Sequence, residues 1–153
     1  MTISASAVGT VLPSLTLTIE RGRLRFFAEA IGESDPVYSD LDAAVSAGFP
    51  DLPVPPTFFF GLKLDVPDPF RWIRDLGIDM RYVLHGTQRF DYSAMAFAGE
   101  QVTFEPRISE VYDKRDGALE FVTVETVVTR DGEPVATLSE TIVVRHPELE
   151  TAR

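Results

Sequence analysis

Glu33, Asp35 and Tyr38 fall within one short run, Gly32-Glu33-Ser34-Asp35-Pro36-Val37-Tyr38. Two carboxylates this close can serve as general bases that activate water. A phenol with an unperturbed pKa near ~10 stays protonated at neutral pH and contributes hydrogen bonds instead. The same residues also suit a plain polar turn, in which Asp35 accepts nearby backbone N–H groups. Both readings stand at this point. The two histidines, His85 and His146, are the only imidazoles. His146 precedes Pro147 and reads as a surface or edge residue, whereas His85 reads either as lining a ligand cavity or as a structural hydrogen-bonding group. Without cysteine and without a helical His spacing, no metal site and no cofactor are expected. Ser34, Ser39 and Ser46 lack a Gly-x-Ser-x-Gly frame, so serine hydrolase chemistry is not indicated.

The elements around these residues follow from hydrophobic period and turn signals. Residues 15–20, Leu-Thr-Leu-Thr-Ile-Glu, alternate as a half-buried strand. Leu24, Phe27, Ala28 and Ile31 then recur at helical spacing, with Gly32 as the stop. Pro50, Pro53, Pro55 and Pro56 forbid a regular element and imply an extended approach to a short helix at Thr57-Phe-Phe-Phe-Gly-Leu-Lys-Leu64. Three consecutive phenylalanines predict that this helix is buried nearly all round, with at most one ring facing a ligand. A further short helix or turn carries Trp72. The second half holds four strand-like runs, 87–97, 101–114, 118–130 and 134–146, and Asp116-Gly117 and Asp131-Gly132 mark two hairpin turns. The expectation is an α+β fold, with an antiparallel meander covered by the Phe-rich helix.

The combination of Phe27–Asp40, Pro53–Leu62 and Val83–Ile108 in this order resembles the MaoC-like hydratase and dehydratase family, in its N-terminal FAS1-like dehydratase branch. The resemblance covers about residues 9–147. It implies the hot-dog fold, an antiparallel sheet wrapped around a central helix. It also implies acyl-thioester chemistry, with acyl-CoA or an acyl-carrier thioester as ligand and a hydratase or dehydratase type of reaction.

In that family the hydratase loop carries an aspartate and a histidine that activate water. The corresponding positions here hold Glu33 and Tyr38. The extra methylene of Glu33 displaces its oxygens by about a bond length, and a misplacement near ~1 Å can cost roughly a hundredfold in rate. Tyr38 cannot replace imidazole as a base without a large pKa shift. Active hydratases of this type also place a glycine N–H near the start of the central helix to bind the thioester oxygen. Here Pro55-Pro56-Thr57 stands there, so an oxyanion hole has to come from the Thr57 and Phe58 amides. The resemblance therefore assigns Glu33 and Tyr38 to the catalytic positions and Gly32, Asp35, Thr57, Phe58 and His85 to the ligand. It implies a subunit that is either weakly active or non-catalytic, working as a homodimer or as a heterodimer with a catalytic MaoC-like subunit. A hot-dog thioesterase and an acyl-thioester-binding module without chemistry remain the alternatives.

Length and charge bound the rest. At 153 residues and 44% hydrophobic content, one domain spanning 1–153 is expected. A net charge of −10 repels a phosphate backbone, so nucleic acid is not an expected partner. Arg21, Arg23 and Arg25 form either a solvated face or a local site for one anionic group. No apolar run approaches the ~20 residues of a membrane helix, and the start lacks the features of a secretory signal, so no membrane association and a cytoplasmic location are expected.

Overall fold

The computed structural model describes residue 3 and residues 5–150. Strand β1 (Leu15–Thr18) leads into helix α1 (Arg21–Ala30), and after a 3₁₀ turn at Pro36–Tyr38 come α2 (Leu41–Ser46), α3 (Phe58–Lys63) and α4 (Arg71–Asp75). Four long strands follow, β2 (Val83–Tyr92), β3 (Gln101–Lys114), β4 (Leu119–Arg130) and β5 (Glu133–Arg145), and α5 (Pro147–Glu150) closes the described chain. They form one antiparallel five-stranded sheet in the order β1-β3-β4-β5-β2, with the helices on its inner face, which is the hot-dog arrangement. Among the described residues, no helix is long and apolar enough to cross a membrane.

The meander expectation holds for β3, β4 and β5 and fails for β2. Asp131 and Gly132 both take positive φ, 52° and 84°, as the tight β4–β5 turn requires, and Arg115, Asp116 and Gly117 do the same between β3 and β4. No such turn joins β2 to β3. The chain leaves β2 at Tyr92, runs through an irregular segment whose Phe97 bridges Pro53, and enters β3 beside β1, so that β2 pairs with β5 at the opposite edge. The strand expected at 87–97 accordingly starts earlier and ends earlier, at 83–92. Helix α2, capped by Asp40 Oδ1 on the Asp42 and Ala43 amides, had no clear sequence signal.

The α3 helix is less enclosed than three phenylalanines suggest. Phe58, Phe59 and Leu62 are buried, and the ring of Phe59 meets Phe104 of β3 edge-on at 6.1 Å. Fully burying side chains of this size contributes about 2–3 kcal/mol each, which holds α3 to the sheet. Phe60 is half-buried and Gly61 exposed, so the far side of the helix stays open. The interior is accordingly divided. One cluster packs α1, α3 and the β3–β5 residues Phe104, Val128 and Leu138; another packs Ile73, Ile78, Ile108, Val124 and Ile142 at the α4 end of the sheet.

Candidate active site

Helix α1 ends in a left-handed residue, Gly32 at φ 71°, and its last carbonyls are closed by Glu33 N–H to Ala28 O at 2.9 Å and Gly32 N–H to Glu29 O at 3.1 Å. That closure turns the chain into the loop holding Glu33, Asp35 and Tyr38. Glu33 Oε1 accepts the Asp35 amide at 2.9 Å, and Asp35 Oδ1 accepts the Val37 amide at 3.1 Å, capping the 3₁₀ turn. Both acids are exposed and Tyr38 is half-buried. The carboxylates thus shape their own loop, and Asp35 acts as the Asx-type turn residue that its place before Pro36 suggests.

The helix start has the backbone geometry of a glycine site occupied by threonine. Thr57 sits at φ 73°, a left-handed conformation that costs a side-chain-bearing residue roughly 1–2 kcal/mol. Its amide donates to Tyr92 Oη at 2.9 Å, and the Phe58 amide donates to Pro55 O at 3.2 Å. The two N–H groups expected to form an oxyanion hole are therefore both engaged within the chain. Phe58 also gives its ring to the core, edge-on to Phe27 at 5.4 Å and 4% exposed, so it offers no side-chain surface to a ligand.

Between the two core clusters lies a cavity of about 1270 Å³. Leu12, Phe70 and Trp72 line it together with Leu15, Phe104, Ile108, Val124 and Ile142 of the sheet. Its volume exceeds the ~300–1,000 Å³ of ordinary small-ligand pockets. Of the residues assigned to the site from sequence, His85 alone reaches its wall; Gly32, Glu33, Asp35, Tyr38, Thr57 and Phe58 do not line it. Phe60 is the one ring of the three that does, packing edge-on to His85 at 5.5 Å.

Charged groups also line this cavity. Lys63, from the end of α3, pairs with Glu140 Oε2 of β5, both side chains largely buried at 12% and 14% exposure, and His85 Nε2 lies 3.8 Å from Glu140 Oε1. Lys63 Nζ also sits 5.1 Å from the Phe60 ring centre. Neither Lys63 nor Glu140 drew notice in the sequence, although a signal exists. Along β5, Ala136, Leu138, Ile142 and Val144 are buried inward residues, and Glu140 occupies the same alternating row.

A second inward glutamate follows the same pattern on β4. Glu120 is 1% exposed; it accepts the Ile3 amide at 2.6 Å and meets His146 Nε2 at 2.5 Å. His146 does lie at a strand end, but its ring is turned inward rather than displayed at the surface, with a side-chain exposure of 13%. A smaller cavity of about 570 Å³ adjoins the pair.

The arginine cluster resolves into separate contacts rather than an anion site. Arg21 forks onto Asp51, Arg23 pairs with Asp65, and Arg25 Nε donates to Ser39 O at 2.7 Å. Hydrogen bonds from the Arg21 guanidinium hold the Asp51 carboxyl below its ordinary pKa.

Comparison with known proteins agrees with this architecture. Residues 6–138 match the family described as the FAS1-like dehydratase domain region. A UPF0336 protein of Leifsonia xyli subsp. xyli is 37% identical over 142 residues, covering 89% of this chain and 91% of that protein. Among solved structures, the C-terminally truncated HadBC (3R-hydroxyacyl-ACP dehydratase) complex of Mycobacterium tuberculosis superposes with TM-score 0.74 at 24% identity, over 90% of this chain and 98% of that one. A MaoC-like dehydratase gives TM-score 0.79 at 20% identity, over 94% of this chain and 43% of that one. The chain belongs to the FAS1-like dehydratase domain family, and it shares the hot-dog fold of a MaoC-like dehydratase.

Proposed function

We propose that this protein is the acyl-binding subunit of an acyl-thioester hydratase or dehydratase, and that a MaoC-like partner with an intact aspartate and histidine supplies the acid–base chemistry. The observation that carries this reading is the separation of cavity from loop. A large, mostly apolar cavity suits an acyl chain, while the loop that the resemblance assigns to catalysis holds Glu33 and Tyr38, with Glu33 Oε1 on its own backbone. The engagement of the Thr57 and Phe58 amides supports it, because a thioester oxygen would have to displace both partners to be bound there. The HadBC dehydratase, similar in fold, is by its description a complex, which favours a heteromeric arrangement over a homodimer. The ligand is an acyl-CoA or acyl-carrier thioester, and the reaction takes place in the cytoplasm. Nothing in the geometry of Glu33 or Asp35 favours the thioesterase alternative, since neither acid lines the acyl-sized cavity.

The test is hydration of crotonyl-CoA and of longer enoyl-CoAs by the purified chain, alone and with a MaoC-like partner. The expected outcome is turnover only in the mixture. Robust hydration by the chain alone, abolished by Glu33→Ala, would overturn the reading, and release of free CoA would establish the thioesterase in its place.

A further inference from the structure

The donors at the start of α3 are engaged within the chain, and neither Thr57 nor Phe58 lines the large cavity. A polar group of an occupant therefore has to find its partners on the cavity's own wall. Thr10, Ser14, Asp68, Arg71 and Asp75 line it at exposed positions, where water competes for every hydrogen bond. Three polar residues of the lining are largely buried instead. Lys63 and Glu140 have side-chain exposures of 12% and 14%, and Thr126 is 2% exposed.

Thr126 stands in the inward row of β4 between the buried Val124 and Val128, where another valine would continue the core. Its hydroxyl has no hydrogen-bond partner among the described residues and is open to the cavity. A buried hydroxyl left unmatched is unfavourable, and departures of this kind from what packing prefers concentrate at functional sites. In the β4–β5 register Thr126 pairs with Leu138 and Val124 with Glu140. Thr126 and Glu140 are thus diagonal neighbours on one face of the sheet, roughly 7–8 Å apart and within reach of long side chains. Lys63 meets Glu140 Oε2 from α3, which brings its ammonium to the same part of the wall.

The spare capacity of this set lies in donors. Lys63 carries three N–H groups and directs one at Glu140 Oε2, and Thr126 carries one O–H. Glu140 Oε1 faces His85 Nε2 at 3.8 Å. Two donors flanking one gap complement a neutral acceptor. An anionic oxygen there would meet the Glu140 carboxylate, an ammonium would meet Lys63, and a plain methylene would leave Thr126 unmatched. An acyl thioester carries such an acceptor in its carbonyl oxygen, at the junction of acyl chain and thiol carrier. The set also reaches the surface, because His85 beside Glu140 keeps 47% of its side chain exposed. A carbonyl held there leaves the carrier an exit past His85 and the acyl chain the apolar remainder of the cavity.

We infer that Lys63 and Thr126 form the binding site for the thioester carbonyl within the cavity, with Glu140 as the group that positions Lys63. The inference rests on the reading of the cavity as the acyl site. It assigns to the cavity wall the carbonyl contact that the α3 amides do not make.

The test is calorimetric titration of the full chain with lauroyl-CoA and with S-dodecyl-CoA, a thioether of the same chain length that lacks the carbonyl. The thioester is expected to bind about tenfold more tightly, the ratio that a hydrogen bond to a charged group supports. Thr126→Val, which keeps the shape of the side chain and removes its hydroxyl, should reduce that ratio to about threefold or less. Lys63→Met/Glu140→Leu, which removes both charges together, should do the same while the thioether still binds. Tyr92→Phe frees the Thr57 amide and should leave the ratio unchanged. Equal binding of the two probes by the unaltered chain, or a ratio that survives both cavity variants, overturns the carbonyl site and leaves the acyl cavity standing. A ratio that moves only in Tyr92→Phe overturns it as well, by placing the carbonyl at the start of α3. Failure of both probes to bind overturns the acyl reading itself.

Discussion

Replacing His146 by alanine strands a carboxylate in the fold. Glu120 is 1% exposed and its two oxygens are divided between Ile3 N–H, at 2.6 Å, and His146 Nε2, at 2.5 Å. His146→Ala leaves one of them without its partner. Breaking a buried pair from one side costs about 3–5 kcal/mol. Two features moderate that figure here: the Ile3 amide still solvates the carboxylate, and the adjoining cavity of about 570 Å³ admits water to its edge. A loss of about 2–3 kcal/mol is expected. With a urea m-value near ~2 kcal/mol per molar, the unfolding midpoint should fall by about 1–1.5 M with its slope unchanged. The paired control is Glu120→Leu/His146→Leu, which removes the charge and leaves only the Ile3 amide unmatched, so its loss should stay near ~1 kcal/mol. A His146→Ala midpoint within about 0.25 M of the parent, or a double variant as unstable as the single one, would show that the pair is not what keeps Glu120 buried.

Other substitutions probe separate links between sequence and structure. Gly86 lies at the register shift in β2, where an added Cβ would stand 2.8 Å from Thr141 O and 3.0 Å from Val143 Cγ2. Gly86→Ala should therefore destabilise by about 1–3 kcal/mol in urea unfolding, and an unaffected midpoint would show that the β2–β5 edge gives way freely. Thr57→Gly relieves roughly 1–2 kcal/mol of left-handed strain against a glycine entropy cost of about 0.5–1. A melting temperature raised by up to a few degrees is expected, and a lowered one would mean that the threonine side chain contributes more than the strain it carries. Asp51 has a depressed pKa in the folded state, so its contribution is present above the unfolded value, near ~3.9, and is lost as the pH falls through the folded one. Asp51→Asn should flatten the fall in stability below about pH 4; because Arg21 is half exposed, the effect is small, and an unchanged pH profile would rule the pair out as a contributor.

Legibility of the fold varied with the range of the interactions that decide each element. The spans of β3, β4 and β5 were readable almost to the residue, because alternation and the Asp-Gly turns are local. So was the end of α1 at Gly32, whose positive φ is a property of the residue itself. The strand partner of β2 was not readable, since pairing with β5 in place of β3 depends on a crossing that no turn signal specifies. The burial of α3 was overstated for a related reason. Three phenylalanines state how apolar a helix is, yet which faces find a neighbour depends on where the two core clusters close and where they stay apart.

The candidate site divides along the same line. The sequence by itself determined the residue types: two acids and a tyrosine in the loop after α1, and a threonine following two prolines at the start of α3. Only the tertiary structure decided what surrounds them: that the Thr57 amide goes to Tyr92, that Glu33 binds its own loop, and that the large cavity lies elsewhere. Lys63 and Glu140 are 77 residues apart, on elements of different kind. Their meeting depends on α3 lying across the inner face of the sheet, a packing outcome shared by the whole core and encoded in no single stretch of chain.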